Sequence, residues 1–469
     1  MTPEVEIKFA CGPETLEALV LRARGPVRDQ RLVSVYHDTP EGALAARGAS
    51  LRLRTDSAGR TIQTLKTGDG LGRREAEAEA APGRLDTSGD ELAGLLSQEE
   101  VGRLVPQFTV QVRRRTFELV RGGSRIELAL DQGEIQAGEA REAVCEAELE
   151  LLDGAPGDLF GLALDLAADL PLTLSLRSKS DRGHRLAGCV GLSPARPAEL
   201  SCAEALRGAL LSALTEACDR ALAAAVAPGP EAVHGLRVAL RRLRSLLSVF
   251  RRRFEPSGTE GVRRGLQALS RACAAARELD VLAAAADPAG ALSSELSKAR
   301  QEAAADLARR LGAAPARQVL LEGLILVEAG AWRGAQGNAG PAAGLAGDLA
   351  RRWRRIRRLG ERLDALDPGE RHDLRLRIKA LRYALEGLDL AAWAEIRAGL
   401  VPALRAAQDA LGAEQDGEAA RARLDALGLS GTARREAARL VAGLRRKGAR
   451  ARAGRAIRSL LETPASPLT

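Results

Sequence analysis

At 469 residues and net charge +8, the chain exceeds the length at which a single hydrophobic core usually divides, so at least two domains are expected. Residues 1–195 hold 24 Lys and Arg against 31 Asp and Glu, net −7, which leaves 46 against 31, net +15, for residues 196–469. A half so basic points to a polyanionic partner, whether nucleic acid, an anionic membrane or polyphosphate. No apolar run opens Met1–Phe9 and none reaches ~18 residues, so neither a secretion signal nor a membrane helix is expected. The cysteines, Cys11, Cys145, Cys189, Cys202, Cys218 and Cys273, form no C-x-x-C pair. They are expected as buried thiols of a cytoplasmic protein, without zinc or disulfides.

From residue 1 to about 190, short runs alternate in character: Glu4-Val5-Glu6-Ile7-Lys8-Phe9, Leu51-Arg52-Leu53-Arg54 and Cys145-Glu146-Ala147-Glu148-Leu149-Glu150. Such period-two text between Gly, Asp and Pro gaps predicts antiparallel strands joined by hairpins, with helices near 13–24, 89–104 and 157–168. Alternation puts Glu4, Glu6 and Lys8 on one face, and likewise Arg52 with Arg54, Arg73 with Glu75 and Glu77, and Glu146 with Glu148 and Glu150. Any one of these faces could be an ordinary solvated surface. Three carboxylates at i, i+2 and i+4 repel one another, however, and a bound divalent cation compensates that repulsion. Acidic strands segregated from Arg and Lys strands suit a metal and a phosphate together.

In order and spacing, Glu4-x-Glu6-x-Lys8, Tyr36-x-Asp38-Thr39, Leu51-Arg-Leu-Arg54, Thr64-Leu-Lys66, Asp131-x-Gly133, Glu146-x-Glu148-Leu-Glu150 and Ser178-Lys179-x-x-Arg182-Gly183 resemble the CYTH, or triphosphate tunnel metalloenzyme, family. The resemblance covers nearly all of 1–190. It implies an antiparallel barrel with a polar tunnel and flanking helices, acting on inorganic triphosphate, thiamine triphosphate or RNA 5′-triphosphate, or in one branch cyclising ATP. By position it implies that Glu4, Glu6, Glu146 and Glu148 hold Mg²⁺ or Mn²⁺, supported by Glu150 and Asp131. Lys8, Arg52, Arg54, Lys66, Arg73, Arg114 and Lys179 would then grip phosphate oxygens. Oxygen ligands suit a hard cation, and basic side chains neutralise a phosphate chain. The run Arg113-Arg114-Arg115 leaves the inward residue open, Arg114 being preferred by its spacing to Phe108 and Phe117. Arg73 rather than Arg74 rests on parity. His184, where the family often has Tyr, is read as structural.

Residues 191–199 are the expected linker. From 200 to 465 the text changes to strong helix formers with apolar stripes at three and four residue spacing, broken at Pro228-Gly-Pro230, Pro256-Ser-Gly258 and Gly334–Pro341, which predicts a helical bundle. This part repeats itself, since His234-Gly-Leu-Arg237-Val-Ala-Leu-Arg241-Arg-Leu-Arg244 aligns without gaps on His372-Asp-Leu-Arg375-Leu-Arg-Ile-Lys379-Ala-Leu-Arg382. Matching residues at equal offsets indicate two similar halves. On a helix, offsets 0, 3, 7 and 10 share one face, so His234, Arg237, Arg241 and Arg244 form one basic stripe and His372, Arg375, Lys379 and Arg382 another. Leu236, Leu240, Leu243 and Leu247, with Leu374, Ile378, Leu381 and Leu385, form separate core stripes. Carboxylate co-ligands are missing beside the histidines, so a metal site there is not expected.

These helices, with Arg277-Glu-Leu-Asp280, the arginine run Arg351–Arg358 and Leu411-Gly412-x-x-x-Asp416, resemble the CHAD, or conserved histidine α-helical, domain. That resemblance covers about 200–460. It implies a pair of similar four-helix bundles that bind inorganic polyphosphate. Few aromatic residues are available as stacking platforms, so nucleic acid is not the expected partner. The leading expectation is a metal-dependent hydrolase of inorganic triphosphate, resembling bacterial CYTH–CHAD triphosphatases. Its rivals are a non-catalytic, granule-associated polyphosphate binder, a thiamine triphosphatase and an adenylate cyclase.

Overall fold

The computed structural model describes residues 2–23, 25, 27–68, 72–189, 201–330, 341–388, 390–444 and 448–465, and within these not the side chains of 2–4, 72, 73, 257, 341, 342, 391 and 414–416. The chain divides into two compact units, Met1–Ala198 and Glu199–Thr469. The expected linker at 191–199 and most of the break at Gly334–Pro341 lie outside the described residues.

The first unit runs β1 (Thr2–Ala10), α1 (Pro13–Ala23), β2 (Arg28–Asp38), α2 (Ala43–Ala46), β3 (Ala49–Asp56), β4 (Thr61–Thr67), β5 (Gly72–Glu79), α3 (Asp90–Ala93), α4 (Gln98–Gly102), β6 (Val105–Arg121), β7 (Ser124–Ala137), β8 (Ala140–Asp153), α5 (Pro156–Asp169), β9 (Thr173–Ser175) and α6 (Lys179–Leu186). The strands form one antiparallel sheet in the order β5-β4-β3-β2-β6-β7-β8-β1-β9, and β5 also pairs with β1 from Thr2↔Glu75 to Val5↔Gly72. Register aligns the charged positions of neighbouring strands. Glu6 lies opposite Glu150 and Lys8 opposite Glu148, Glu127 opposite Glu150 and Asp131 opposite Glu146, Arg114 opposite Asp131, and Lys66 opposite Glu75. Because side chains alternate, one register sends all of these to one face and the apolar residues between them to the other.

Two expected motifs have structural work. Asp38 caps α2, its carboxylate accepting from the backbone N–H groups of Thr39 at 2.7 Å, Leu44 at 2.8 Å and Ala45 at 2.9 Å, which satisfies donors a helix start leaves open. At Gly133, β6 and β7 approach so closely that a Cβ would collide with the Gln111 carbonyl oxygen. His184 is buried, with Nδ1 2.9 Å from the Ser180 carbonyl oxygen, Nε2 3.2 Å from Asp38 Oδ2, and its ring edge-on to Phe108.

The second unit is helical: α7 (Cys202–Val226), α8 (Pro230–Val249), α9 (Pro256–Ala285), α10 (Ala291–Gly312), α11 (Ala314–Ala329), α12 (Pro341–Gly360), α13 (Pro368–Gly387), α14 (Ala394–Asp425), α15 (Gly431–Leu444) and α16 (Ala449–Glu462). Pro256 opens α9 instead of ending a helix, as proline's fixed φ and missing N–H allow at a first turn; the chain breaks just before it, at a single 3₁₀ turn, Arg251–Arg253. The repeated helices α8 and α13 pack on each other, α8 also on α7 and α9, and α13 on α14. All eight apolar stripe residues of α8 and α13 are buried. Burying each aliphatic side chain contributes about 1.5–3 kcal/mol, which fixes the rotation of both helices and hence the direction of their basic faces.

Candidate functional site

In the first unit the aligned charges enclose a cavity of about 310 Å³. Glu6 and Lys8 of β1, Arg52 and Arg54 of β3, Lys66 of β4, Arg114 of β6, Glu148 and Glu150 of β8, and Lys179 at the start of α6 all line it. The arginine triplet resolves by alternation: Arg114 faces the cavity, whereas Arg113 turns to Asp29 and Arg115 to Glu17. Glu4 and Arg73 pair across β1 and β5 in backbone register; their side chains lie outside the described residues. Asp131 and Glu146, expected beside the metal, do not line the cavity. Both are fully buried and engaged by cations.

That engagement is dense. Arg114 donates to Asp131 Oδ1 and Oδ2 at 2.7 and 2.6 Å and to Glu148 Oε2 at 2.6 Å. Lys179 Nζ lies 2.8 Å from Asp131, 2.6 Å from Glu146 and 2.9 Å from Glu148. Arg182 pairs with Glu146 and, at 2.6 Å, with Glu142, and Lys8 pairs with Glu6. Lys66 reaches Glu75 at 3.3 Å and Arg54 reaches Glu77 at 3.2 Å, while Arg52 donates to the Tyr36 hydroxyl at 3.4 Å. Burial works against charge on Lys179, but Asp131, Glu148 and Glu146 outweigh it and hold its pKa well above the usual lysine value. Burial likewise opposes the Glu148 carboxylate, and Lys179, Arg114 and Lys8 overcome it, keeping its pKa well below the carboxylate range. For Glu127 burial dominates and raises the pKa despite Arg114 and Arg28.

Sequence reasoning missed Glu127, Arg28, Gln30 and the acids Glu75 and Glu77 as lining residues. The signal was available, because Glu127 shares parity with Asp131, and Arg28 and Gln30 with Tyr36.

Carboxylate oxygens of Glu6, Glu148 and Glu150, backed by Asp131 and Glu146, are donors of the kind a hard divalent cation takes, and three of them already converge on the cationic Lys179 Nζ. The donor chemistry therefore fits a hard divalent cation, although among the described residues no group of three His, Cys, Asp or Glu stands in metal-holding geometry by itself.

In the second unit a cavity of about 1040 Å³ is lined by His234, Arg237 and Arg241 of α8 and by His372, Arg375 and Lys379 of α13. Six of the eight expected residues thus meet. Arg244 and Arg382 do not line it. Arg382 is buried, donates to Glu386 at 2.7 Å and to Gln408 at 3.2 Å, and lies 4.0 Å over the Tyr383 ring. Arg277 of α9 and Arg423 of α14 also line the cavity and were missed as site residues; Arg423 is held by Glu278 at 2.6 Å. Here burial and like charge act together. Burial, then Arg241, Arg375, Arg237 and Arg382, push Lys379 down to about 7. Burial and Arg241 lower Arg237 to about 10, and burial, Arg277 and Arg237 lower His234.

Residues 2–183 match the CYTH domain and residues 208–425 the CHAD domain. The chain thus carries a CYTH domain followed by a CHAD domain. It is 32% identical over 197 residues to an inorganic triphosphatase of Haemophilus influenzae, a match covering 40% of this chain and 55% of that relative, so the chain spans about half the relative's length. Among solved structures it is similar to a CHAD domain from the plant Ricinus communis (22% identity, 58% of this chain and 96% of that one, TM-score 0.46). Another is an adenylyl cyclase candidate from Hippeastrum with a dominant triphosphatase activity (18% identity, 39% and 96%, TM-score 0.32). No described helix is long and apolar enough to cross a membrane.

Proposed function

We propose that residues 1–190 act as a metal-dependent inorganic triphosphatase and that residues 200–465 bind inorganic polyphosphate, in a protein of the cytoplasm. One observation carries the catalytic reading: a single cavity lined by at least six cationic side chains together with the carboxylates of Glu6, Glu148 and Glu150. A polyanion explains the cations, and a divalent ion explains acids facing a polyanion. The β1–β5 pairing that joins the ends of the eight-strand run supports reading the sheet as a tunnel. Apart from Leu32, Tyr36 and Ile62, the lining is polar, which favours a bare phosphate chain over a nucleotide or thiamine.

In this reading Glu4, Glu6, Glu148 and Glu150 would hold Mg²⁺ or Mn²⁺, with the buried Asp131 and Glu146 supporting them from behind the cavity wall. The ion, when bound, adds positive charge against the phosphoryl oxygens and activates water. Lys8, Arg52, Arg54, Lys66, Arg73 and Arg114 bind and align the phosphate chain, and stabilise charge as it shifts to the leaving phosphate. Lys179 keeps Asp131, Glu146 and Glu148 convergent, and it exchanges carboxylate for phosphate contacts as substrate enters.

The test is phosphate release by the purified chain from triphosphate, pyrophosphate, ATP and thiamine triphosphate, with and without Mg²⁺ or Mn²⁺. Release from triphosphate alone, dependent on the cation, supports the reading. Full release in excess chelator, or ATP as the preferred substrate, defeats it.

A further inference from the structure

The helix α14 contributes a residue that acts on the basic cavity through another. Gly412 lies in the interior of this 32-residue helix, where alanine would be the better helix former, and its φ does not fall in the left-handed range. Backbone conformation therefore does not require glycine. Space does: a Cβ at Gly412 would stand 2.6 Å from Nη2 of Arg375, 3.2 Å from its Cζ and 3.4 Å from its Nε. The Arg375 guanidinium occupies the space that a side chain at 412 would take. One turn earlier, Gln408 accepts from Arg382 Nε at 3.2 Å. Residues 408 and 412 share a helix face, as do 375 and 382, so α14 forms a rail along which both α13 arginines are laid. Gln408 grips one, and Gly412 makes room for the other.

We propose that Gly412 is a positioning residue for polyphosphate binding, setting the Arg375 guanidinium at the wall of the cavity shared with Arg237, Arg241 and Lys379. The inference rests on the reading of that cavity as the polyphosphate site. The atoms a Cβ would meet belong to the far end of a long flexible side chain, so Gly412→Ala moves the arginine and leaves the helix packing intact. Affinity should suffer while stability does not, a pattern that a merely structural glycine would not give.

The experiment compares the full-length chain with Gly412→Ala, Arg375→Ala and the double variant, titrating each with long-chain inorganic polyphosphate and measuring each thermal midpoint. The expected result is an affinity loss of about tenfold in each single variant, the size of one charge-assisted contact. The double variant should lose no more than Arg375→Ala, because both changes remove the same contact. The midpoint of Gly412→Ala should equal or exceed that of the parent. Parent-like affinity in Gly412→Ala, losses that multiply in the double variant, or a loss that comes with a lowered midpoint would each overturn the proposal. If Arg375→Ala binds as the parent does, or the parent binds no polyphosphate, the underlying reading of the cavity fails as well, and the two failures are told apart by that variant.

Discussion

The two cavities use the same residue types and opposite electrostatics. In the first unit Arg114 and Lys179 share Asp131 and Glu148, and the pKa shifts of Lys179 and Glu148 run toward their charged forms, while burial with Arg52 and Arg114 lowers Arg54 and burial raises Glu127. In the second unit Arg237, Arg241 and Lys379 face one another, with no ion pair to a described carboxylate, and the shifts of Arg237, Lys379 and His234 run toward neutral forms. A neutralised network is stable when empty and must exchange partners to admit an anion, which suits the reaction proposed for it. A repulsive cluster is destabilising when empty and is relieved by any anion that enters, which suits the capture proposed for it.

The sharpest way to break this contrast is to unbalance the network. Glu148→Ala and Arg114→Ala should each lower triphosphate hydrolysis by about 10²- to 10³-fold, a size typical of losing a preorganised charge. The double variant should be little worse than either single one, because the groups act as a unit. Phosphate release within twofold of the parent in both single variants would mean that the cavity is not the reaction site.

A second test unloads the repulsive cluster. Replacing Arg237, Arg241, Arg375 and Lys379 together by Ala should weaken binding of long-chain polyphosphate by about 10²-fold or more and flatten its dependence on salt. Replacing the exposed Arg421, Arg434, Arg435 and Arg439 should change affinity by less than about threefold, measured by the same titration. Equal losses would reduce the site to diffuse charge.

The third prediction separates the units. Gly133→Ala forces β6 and β7 apart and should destabilise the first unit by about 1–3 kcal/mol, the usual cost of overpacking, seen as a lowered midpoint for loss of triphosphatase activity on heating. Polyphosphate binding should be unaffected. Unchanged thermal inactivation would show that the close approach at Gln111 relaxes freely.

How much of this was legible in the sequence follows from period and register. Parity placed Glu6, Lys8, Arg52, Arg54, Glu148 and Glu150 because a strand has only two faces. It could not separate Asp131 and Glu146 from Glu148, since parity says which face a side chain takes and not how deep it lies; depth came from Lys179 and Arg182, brought in by α6 across a long sequence gap. The missed Glu127 had the right parity but stood outside the motif spacing. In the helical unit the 3.6-residue period placed six of the eight basic residues at one cavity, and the two that do not line it lie at the last position of each stripe. Arg382 was drawn away by Glu386 and Gln408, and Arg277 joined from a helix whose rotation only packing determines.

The smallest expected effect tests the contrast at one residue. Lys379 is held near 7 by burial and by Arg241, Arg375, Arg237 and Arg382, against an ordinary lysine value of about 10.4 in the unfolded chain. Below about pH 7 both states carry the proton and the folded state bears the whole repulsion. Between about 7 and 10.4 the unfolded chain binds more protons, so this residue's contribution to stability rises with pH across that window and the penalty is gone above it. Lys379→Met should therefore be more stable than the parent by roughly 1–2 kcal/mol near pH 6, an advantage that fades as pH rises through the window, measured by denaturant unfolding at several pH values. Binding should show the reverse preference. A bound phosphate chain restores the proton on Lys379, so the parent's polyphosphate affinity should fall by about tenfold from pH 7 to 8.5, while Lys379→Met binds more weakly at pH 7 and changes less over the same range. A variant that gains no stability at pH 6, or a parent whose affinity is flat across pH 7 to 8.5, would show that the Lys379 ammonium is not held against its neighbours, and the capture half of the contrast would then rest on the arginines alone.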